Sequence, residues 1–146
     1  MNRVISADSH VQEPPEIFER LPKSLRHRAP RVVERDGARY LVIDGRRPRR
    51  LDIADARTTA DDRNREFRED PSEGRDIDRR LADLERDGVT AEVIYPNRSL
   101  NLFMSPAPDY QLAVAKAWND WAIEHFGPHR DRFAPVAMTP VHDIEA

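Results

Sequence analysis

The chain has 146 residues, enough for one domain with a hydrophobic core, and it carries a net charge of −3. That charge gives no electrostatic basis for binding nucleic acid or an anionic membrane, and no run approaches the ~18 apolar residues of a membrane span. The sequence contains no cysteine, so any metal must bind His, Asp or Glu side chains. Because its start lacks a secretory apolar segment, the chain is expected to be cytoplasmic.

The first predicted element is a strand near the N-terminus that ends at Asp8, with His10 two residues later. Side chains alternate faces along a strand, so Asp8 and His10 are expected to project together from its C-terminal end. A carboxylate and an imidazole that converge can hold a divalent cation. The alternative is that both side chains cap the strand and bond to loop backbone. Pro14 and Pro15 then turn the chain away, because proline lacks the N–H that a β-ladder needs.

An irregular region follows the first strand. A short helical turn is predicted over 15–20, and two β-rich runs over 31–43 flank Asp36-Gly37, which is a strong hairpin signal. The segment 52–75 contains 13 charged residues among 24. Such a segment cannot bury enough surface to offset the entropy lost on ordering, so we predict a mobile loop, a lid or a segment that a partner orders.

The second half of the chain alternates helices and strands. Apolar residues at helical spacing predict helices over 76–88 and 109–126. Strands are predicted over 91–95, closed by Pro96, and over 133–138. This alternation indicates an α/β fold with a parallel sheet and right-handed crossovers.

Five short motifs follow one another along the sequence. They are Asp8-Ser9-His10-Val11-Gln12-Glu13-Pro14; Pro71-Ser72-Glu73-Gly74-Arg75-Asp76 leading into Arg80-Leu81-Ala82-Asp83-Leu84-Glu85-Arg86-Asp87-Gly88-Val89; Ala91-Glu92-Val93-Ile94-Tyr95-Pro96; Trp118-Asn119-Asp120-Trp121; and Arg132-Phe133-Ala134-Pro135-Val136-Ala137-Met138-Thr139-Pro140. Together they resemble the N-terminal third of the amidohydrolase-related (amidohydrolase 2) family that includes aminocarboxymuconate-semialdehyde decarboxylase. The resemblance covers nearly the whole chain outside the charged segment.

The resemblance implies a (β/α)8 barrel of the TIM type with a divalent metal, zinc or manganese, at the C-terminal ends of its strands. In that family the first strand supplies two metal ligands, and Asp8 and His10 occupy those positions here. The remaining ligands, later histidines and a late aspartate, come from strands beyond the third.

Residues 1–146 are then interpreted as the N-terminal part of this barrel, with 31–43 as a β-hairpin excursion and 52–75 as a charged loop. A complete barrel takes about 250 residues, and three barrel strands are predicted here. An open three-stranded piece leaves sheet edges unpaired. We therefore expect a fragment of a longer enzyme, or else a truncated reading frame, and no catalysis by this piece alone.

Four further residues are candidates beside the metal pair. Glu13 is expected either to orient His10 by a hydrogen bond or to cap the turn that follows. Asn97 and Arg98 come after the second barrel strand, at the end where barrel active sites form, and Arg98 could pair bidentately with a substrate carboxylate. His142 follows the third strand at the corresponding end. Each also has an alternative as an ordinary loop or surface residue, and no catalytic residue is assigned.

The expected function is that of a metal-dependent hydrolase or a non-oxidative decarboxylase acting on a small carboxylic acid, aromatic or unsaturated. The resemblance slightly favours the decarboxylase. The expected partner is a small-molecule substrate, neither nucleic acid nor membrane, and the full-length protein could form a homo-oligomer. Two other hypotheses are a non-catalytic interaction module, whose charged loop orders against a partner, and a truncated chain without activity of its own.

Overall fold

The computed structural model describes residues 3–51 and 74–140. His142 and positions 52–73 of the charged segment lie outside these ranges. Three strands, β1 (Ile5–Val11), β5 (Ala91–Pro96) and β6 (Phe133–Pro135), form a parallel sheet in that order. The predicted α/β architecture with a parallel sheet is confirmed, whereas closure into a barrel stays a prediction.

Strand β1 contains a shift in register beside Asp8. Ser6 pairs with Glu92, but Ser9 pairs with Ile94, so between these pairs β1 has two residues where β5 has one. Such a bulge bends a strand and re-aims its side chains. The strand was predicted to end at Asp8 but continues beyond it, because the shifted register restores pairing with β5.

Two α-helices cover the sheet, α1 (Ile77–Asp87) and α2 (Pro108–Phe126). The Asp76 carboxylate caps α1 by accepting a hydrogen bond from the Arg79 amide at 3.0 Å. Gly88 ends α1 in the left-handed conformation, at φ 68°. Both helices match their predicted bounds to within one residue, since caps and apolar spacing are local signals.

Strand β6 is shorter than predicted and ends at Pro135 instead of position 138. Trp118 of α2 donates a hydrogen bond from Nε1 to the Val136 carbonyl at 2.8 Å. The Asn119 side chain accepts a hydrogen bond from the Met138 backbone N–H at 2.8 Å and donates one to the Met138 carbonyl oxygen at 2.9 Å. Side chains of α2 therefore hold the segment that was expected to extend the strand.

The hydrophobic core lies between the sheet and the helices. Its members include side chains from all three strands and from α2: Val11, Ile94, Phe133, Trp118 and Phe126. The opposite face of β1 carries Asp8 and His10 together with Ile5, which is 60% exposed. One face of the sheet is thus packed, and the face bearing the candidate metal pair is open to solvent in the described ranges.

A separate antiparallel sheet follows β1 in the sequence. Strands β2 (Arg31–Arg35) and β3 (Ala38–Val42) pair as the predicted hairpin, and β4 (Arg49–Arg50) pairs with β3. The turn residues Asp36 and Gly37 both have positive φ, at 51° and 71°. Positive φ at both central positions is what a type I′ hairpin turn requires.

The hairpin is anchored to the main body by Asp44 and Gly45. The Asp44 carboxylate accepts hydrogen bonds from the Ser105 hydroxyl and, at 2.9 Å, from Arg28. Partial burial acts to raise the pKa of Asp44, but these two hydrogen bonds and the attraction to Arg28 and His27 together outweigh it, so the net pKa is lowered. Gly45 has φ 76°, and a Cβ there would lie 1.8 Å from the Met104 carbonyl oxygen, so the position requires glycine.

Four 3-10 segments complete the part of the chain that the structure describes: Pro15–Arg20, Arg26–Arg28, Ser99–Met104 and Gly127–His129. The first of them is the short helical turn predicted over 15–20. None of the helices within residues 3–51 and 74–140 is long and apolar enough to span a membrane.

Candidate metal centre

Asp8 and His10 converge near the C-terminal end of β1. The Oδ1 atom of Asp8 lies 3.5 Å from Nε2 of His10. Their side chains are 88% and 46% exposed, so both can be reached by an ion or a substrate. The side chains face each other as the i, i+2 spacing predicts, and their role as metal ligands stays a prediction.

The second nitrogen of the His10 ring is tied to the neighbouring strand. Nδ1 lies 3.1 Å from the Pro96 carbonyl oxygen at the end of β5. A carbonyl oxygen accepts and cannot donate, so this contact requires Nδ1 to carry the hydrogen. The lone pair of the neutral ring is then on Nε2, which faces the Asp8 carboxylate. Two electron-rich atoms facing each other fit a shared cation, and a backbone carbonyl bonded to the other nitrogen is a common way to orient a metal-binding histidine.

Tyr95 provides an aromatic surface beside this pair. Its ring centroid lies 5.7 Å from that of His10, with the two ring planes tilted by 34°. The Tyr95 side chain lies on the same face of the sheet as His10, because the two residues are paired in the register of β1 and β5.

Glu13 makes no direct hydrogen bond to the His10 ring or to the amide of Ile17 among the described residues, and its role in orienting His10 stays a prediction. Its side chain is fully buried, and its carboxylate accepts hydrogen bonds from the amides of Asn97 at 3.1 Å, Arg98 at 2.7 Å and Ser99 at 2.8 Å. The next turn is closed by backbone, from the amide of Ile17 to a carbonyl oxygen, at 3.0 Å. Glu13 therefore joins the loop after β1 to the loop after β5.

Asn97 and Arg98 lie at the same end of the sheet as the metal pair, because parallel strands end at the same edge. The Asn97 side chain is exposed and that of Arg98 is half-buried. No ion pair is seen for the guanidinium of Arg98 among the described residues. His142, the fourth candidate, is outside the described ranges.

A polar network that sequence reasoning missed lies beneath β1. The Arg80 guanidinium of α1 contacts the Glu92 carboxylate of β5 at 2.6 Å, and the Ser9 hydroxyl donates to the same carboxylate at 2.8 Å. Arg80 also donates to the carbonyl oxygens of His10, at 3.1 Å, and Gly74, at 3.0 Å. The signal was available, since a glutamate within an apolar strand run needs a partner when it is buried.

Comparison with known proteins finds similarity in fold to a solved structure. A scan against protein-family models and a search of curated proteins find no match. Among solved structures, the chain is similar to an amidohydrolase from Mycobacterium avium subsp. paratuberculosis, with a TM-score of 0.60 and 19% sequence identity. The alignment covers 92% of this chain and 42% of that one.

The chain has the fold of part of that amidohydrolase. At 19% identity the likeness shows the fold and not the reaction, and the chain spans about two fifths of the neighbour's length. The resemblance inferred from the five motifs thus agrees with the structure at the level of the fold. The decarboxylase branch and the closed barrel stay predictions.

The described residues do not form a complete metal site. Within residues 3–51 and 74–140 there is no group of three or more His, Cys, Asp or Glu side chains that could hold a metal ion. Divalent ions bind four or more ligands, so Asp8 and His10 would be two of them. The arrangement provides one oxygen and one nitrogen donor, already close together and oriented, at an accessible edge of the sheet.

Proposed function

We propose that this chain forms the part of a (β/α)8 amidohydrolase barrel that supplies Asp8 and His10 as ligands of a divalent metal. The whole protein is then a metal-dependent hydrolase or non-oxidative decarboxylase of a small carboxylic acid. The observation that carries the proposal is the 3.5 Å approach of Asp8 Oδ1 and His10 Nε2, with Nδ1 bonded to the Pro96 carbonyl. In a barrel of this kind, the C-terminal ends of the strands form the active site.

Zinc and manganese both suit the donor set, because imidazole binds zinc readily and carboxylate oxygen is also a manganese ligand. When bound, such an ion activates a water molecule for hydrolysis or polarises the oxygens of a substrate carboxylate. The chain itself holds both donor atoms in position for the ion. Asp8 lies beside the bulge in β1, and the ring of His10 is fixed by the Pro96 carbonyl.

The substrate class is proposed from the groups around the pair. Arg98 follows β5 with its backbone held by Glu13, and its guanidinium suits bidentate pairing with a carboxylate. The Tyr95 ring, 5.7 Å from His10, offers an aromatic surface to a flat unsaturated acid. These two features support a small aromatic or unsaturated acid as the substrate.

Metal analysis of the purified full-length protein tests the proposal. We expect a stoichiometric divalent ion in the wild-type protein and its loss when Asp8→Ala and His10→Ala are combined. His27→Ala, which removes an exposed histidine elsewhere, is the matched control and should keep the metal. Unchanged metal content in the double variant would refute the assignment of these ligands.

A panel of small aromatic and unsaturated acids, together with their amides, then separates the two reactions. Release of carbon dioxide without uptake of water identifies a decarboxylase, whereas water uptake without carbon dioxide release identifies a hydrolase. If neither reaction occurs in the metal-loaded full-length protein with any acid or its amide, the proposed substrate class is wrong.

A further inference from the structure

The buried carboxylate of Glu13 is bonded only to backbone among the contacts that the structure describes. One oxygen, Oε2, accepts from the amides of Asn97 and Arg98 at 3.1 and 2.7 Å, and Oε1 accepts from the amide of Ser99 at 2.8 Å. A loop glutamate that is fully buried is unusual, since this residue type is mostly exposed. What its three hydrogen bonds fix is the course of the backbone immediately after β5.

The first of those amides belongs to the same peptide group that orients His10. The peptide bond between Pro96 and Asn97 has its carbonyl oxygen 3.1 Å from Nδ1 of His10 and its N–H 3.1 Å from Oε2 of Glu13. In a trans peptide the C=O and N–H bonds point in opposite directions within one rigid plane. Glu13 and His10 therefore hold this plane from its two sides, and turning the plane would weaken both hydrogen bonds.

We propose that Glu13 is a positioning residue, which sets the tautomer and orientation of His10 through the Pro96–Asn97 peptide group. As a statement about metal binding, this rests on the function proposed above. Glu13 fixes the peptide plane, the carbonyl of that plane holds the hydrogen on Nδ1, and Nε2 is left as the donor atom toward Asp8. The same carboxylate fixes the backbone of Arg98, so it sets the metal side and the substrate side of the site together.

Glu13→Gln is a sharp test because it keeps the shape of the side chain. Both carboxylate oxygens accept amide hydrogens, so in either orientation the new NH2 group faces at least one N–H donor. The Pro96–Asn97 peptide plane should then lose the support that the Glu13 carboxylate gives it. Glu16→Gln is the matched control, because Glu16 is an exposed glutamate in the 3-10 segment that begins two residues after Glu13.

Long-range 1H–15N NMR spectra of the imidazole rings report the tautomer directly. The full chain contains five histidines, and the signals of His10 are those lost in His10→Gln. In mildly alkaline buffer we expect wild type and Glu16→Gln to show the Nδ1–H form of His10. Glu13→Gln should show a mixture with the Nε2–H form. A wild-type His10 in the Nε2–H form overturns the proposal without any variant.

Zinc titration of the full-length protein and of its variants, followed at the ring nitrogens of His10, gives the second readout. We expect Glu13→Gln to bind Zn²⁺ about 10- to 100-fold more weakly than wild type, the usual range when the group orienting a histidine ligand is lost. Circular dichroism checks that each variant is folded. If Glu13→Gln does not fold, Glu13→Asp replaces it, because the shorter carboxylate reaches fewer of the three amides, and a loss in the same direction is expected.

The outcomes separate this proposal from the proposed function. A folded Glu13 variant with the wild-type tautomer and zinc affinity overturns the positioning role and leaves the metal assignment intact. A wild-type full-length protein in which zinc does not perturb His10 overturns the metal assignment, whereas the tautomer comparison between wild type and Glu13→Gln still decides the positioning role.

Discussion

The Arg80 guanidinium donates a hydrogen bond to the carbonyl oxygen of His10 at 3.1 Å. This contact joins helix α1 to the strand that carries the candidate metal pair. Arg80 also contacts Glu92 of β5 at 2.6 Å, and the two side chains are only 11% and 12% exposed. A single helix residue therefore fixes the backbone of β1 and neutralises a charge beneath the sheet.

Replacing Arg80 should destabilise the chain strongly. Arg80→Met leaves the Glu92 carboxylate buried without its cation, and breaking a buried pair in this way costs about 3–5 kcal/mol of the free energy of unfolding. Urea unfolding followed by circular dichroism measures the loss. The combined change of Arg80→Met and Glu92→Met should recover most of it, because no charge is then left behind.

Arg86→Met serves as the control for this prediction. Arg86 lies on the same helix and pairs with Asp83 and Asp87 at its exposed surface. Its replacement should not measurably change the unfolding midpoint. If Arg80→Met behaves like Arg86→Met, the buried network does not support β1 as argued.

Two glycines with nearly equal φ should respond very differently to alanine. Gly37 has φ 71°, and a Cβ added there would have nothing within 4 Å, whereas Gly45 has φ 76° and a Cβ there meets the Met104 carbonyl at 1.8 Å. Gly37→Ala carries the left-handed backbone cost of about 1–2 kcal/mol alone. Gly45→Ala adds a backbone clash and should lose considerably more stability in urea unfolding. Equal losses would show that the hairpin does not dock against Met104.

The stability of the chain should decrease in mildly acidic buffer because of His125. Its ring stacks on Trp121 at 4.8 Å and bonds the Arg75 carbonyl through Nε2 at 2.9 Å. Burial lowers the pKa of His125 below its ordinary value of 6.5, so the folded state favours the neutral ring. The stabilisation is present in full above pH 6.5 and is lost as the pH falls through the lowered pKa of the folded state.

Urea unfolding at a series of pH values checks this sign. His125→Gln should flatten the decline in the free energy of unfolding below pH 6.5, the ordinary pKa of the group. His27→Gln, at an exposed position, should leave the decline as it is in wild type. A decline that persists unchanged in His125→Gln would assign the effect to other groups.

If the proposed function holds, replacing Arg98 should weaken substrate binding by the full-length protein. Arg98→Met removes the guanidinium proposed to pair with the substrate carboxylate, and hydrogen bonds to charged groups contribute about 1.5–3 kcal/mol. We expect KM to rise about 10- to 100-fold with a smaller change in kcat, measured by steady-state kinetics. Arg46→Met, at an exposed position in the turn between β3 and β4, is the control. A fall in kcat at unchanged KM would contradict a binding role.

Several features of this protein were determined by the sequence itself. The two ends of helix α1 and the hairpin turn at Asp36-Gly37 depend on neighbouring residues alone, and they lie within one residue of the predicted positions. The facing of Asp8 and His10 follows from strand alternation in the same way. These are local properties, because φ, ψ and side-chain direction are fixed within a few positions.

Only the tertiary structure decided how the site is held. Glu13 finds its partners at 97–99, His10 bonds the Pro96 carbonyl, and Arg80 reaches Glu92. Each contact joins different elements, so it depends on the register between β1 and β5 and on where the helix lies against them. A shift of one residue in that register, as at the bulge beside Asp8, changes which groups meet, and no local pattern specifies it.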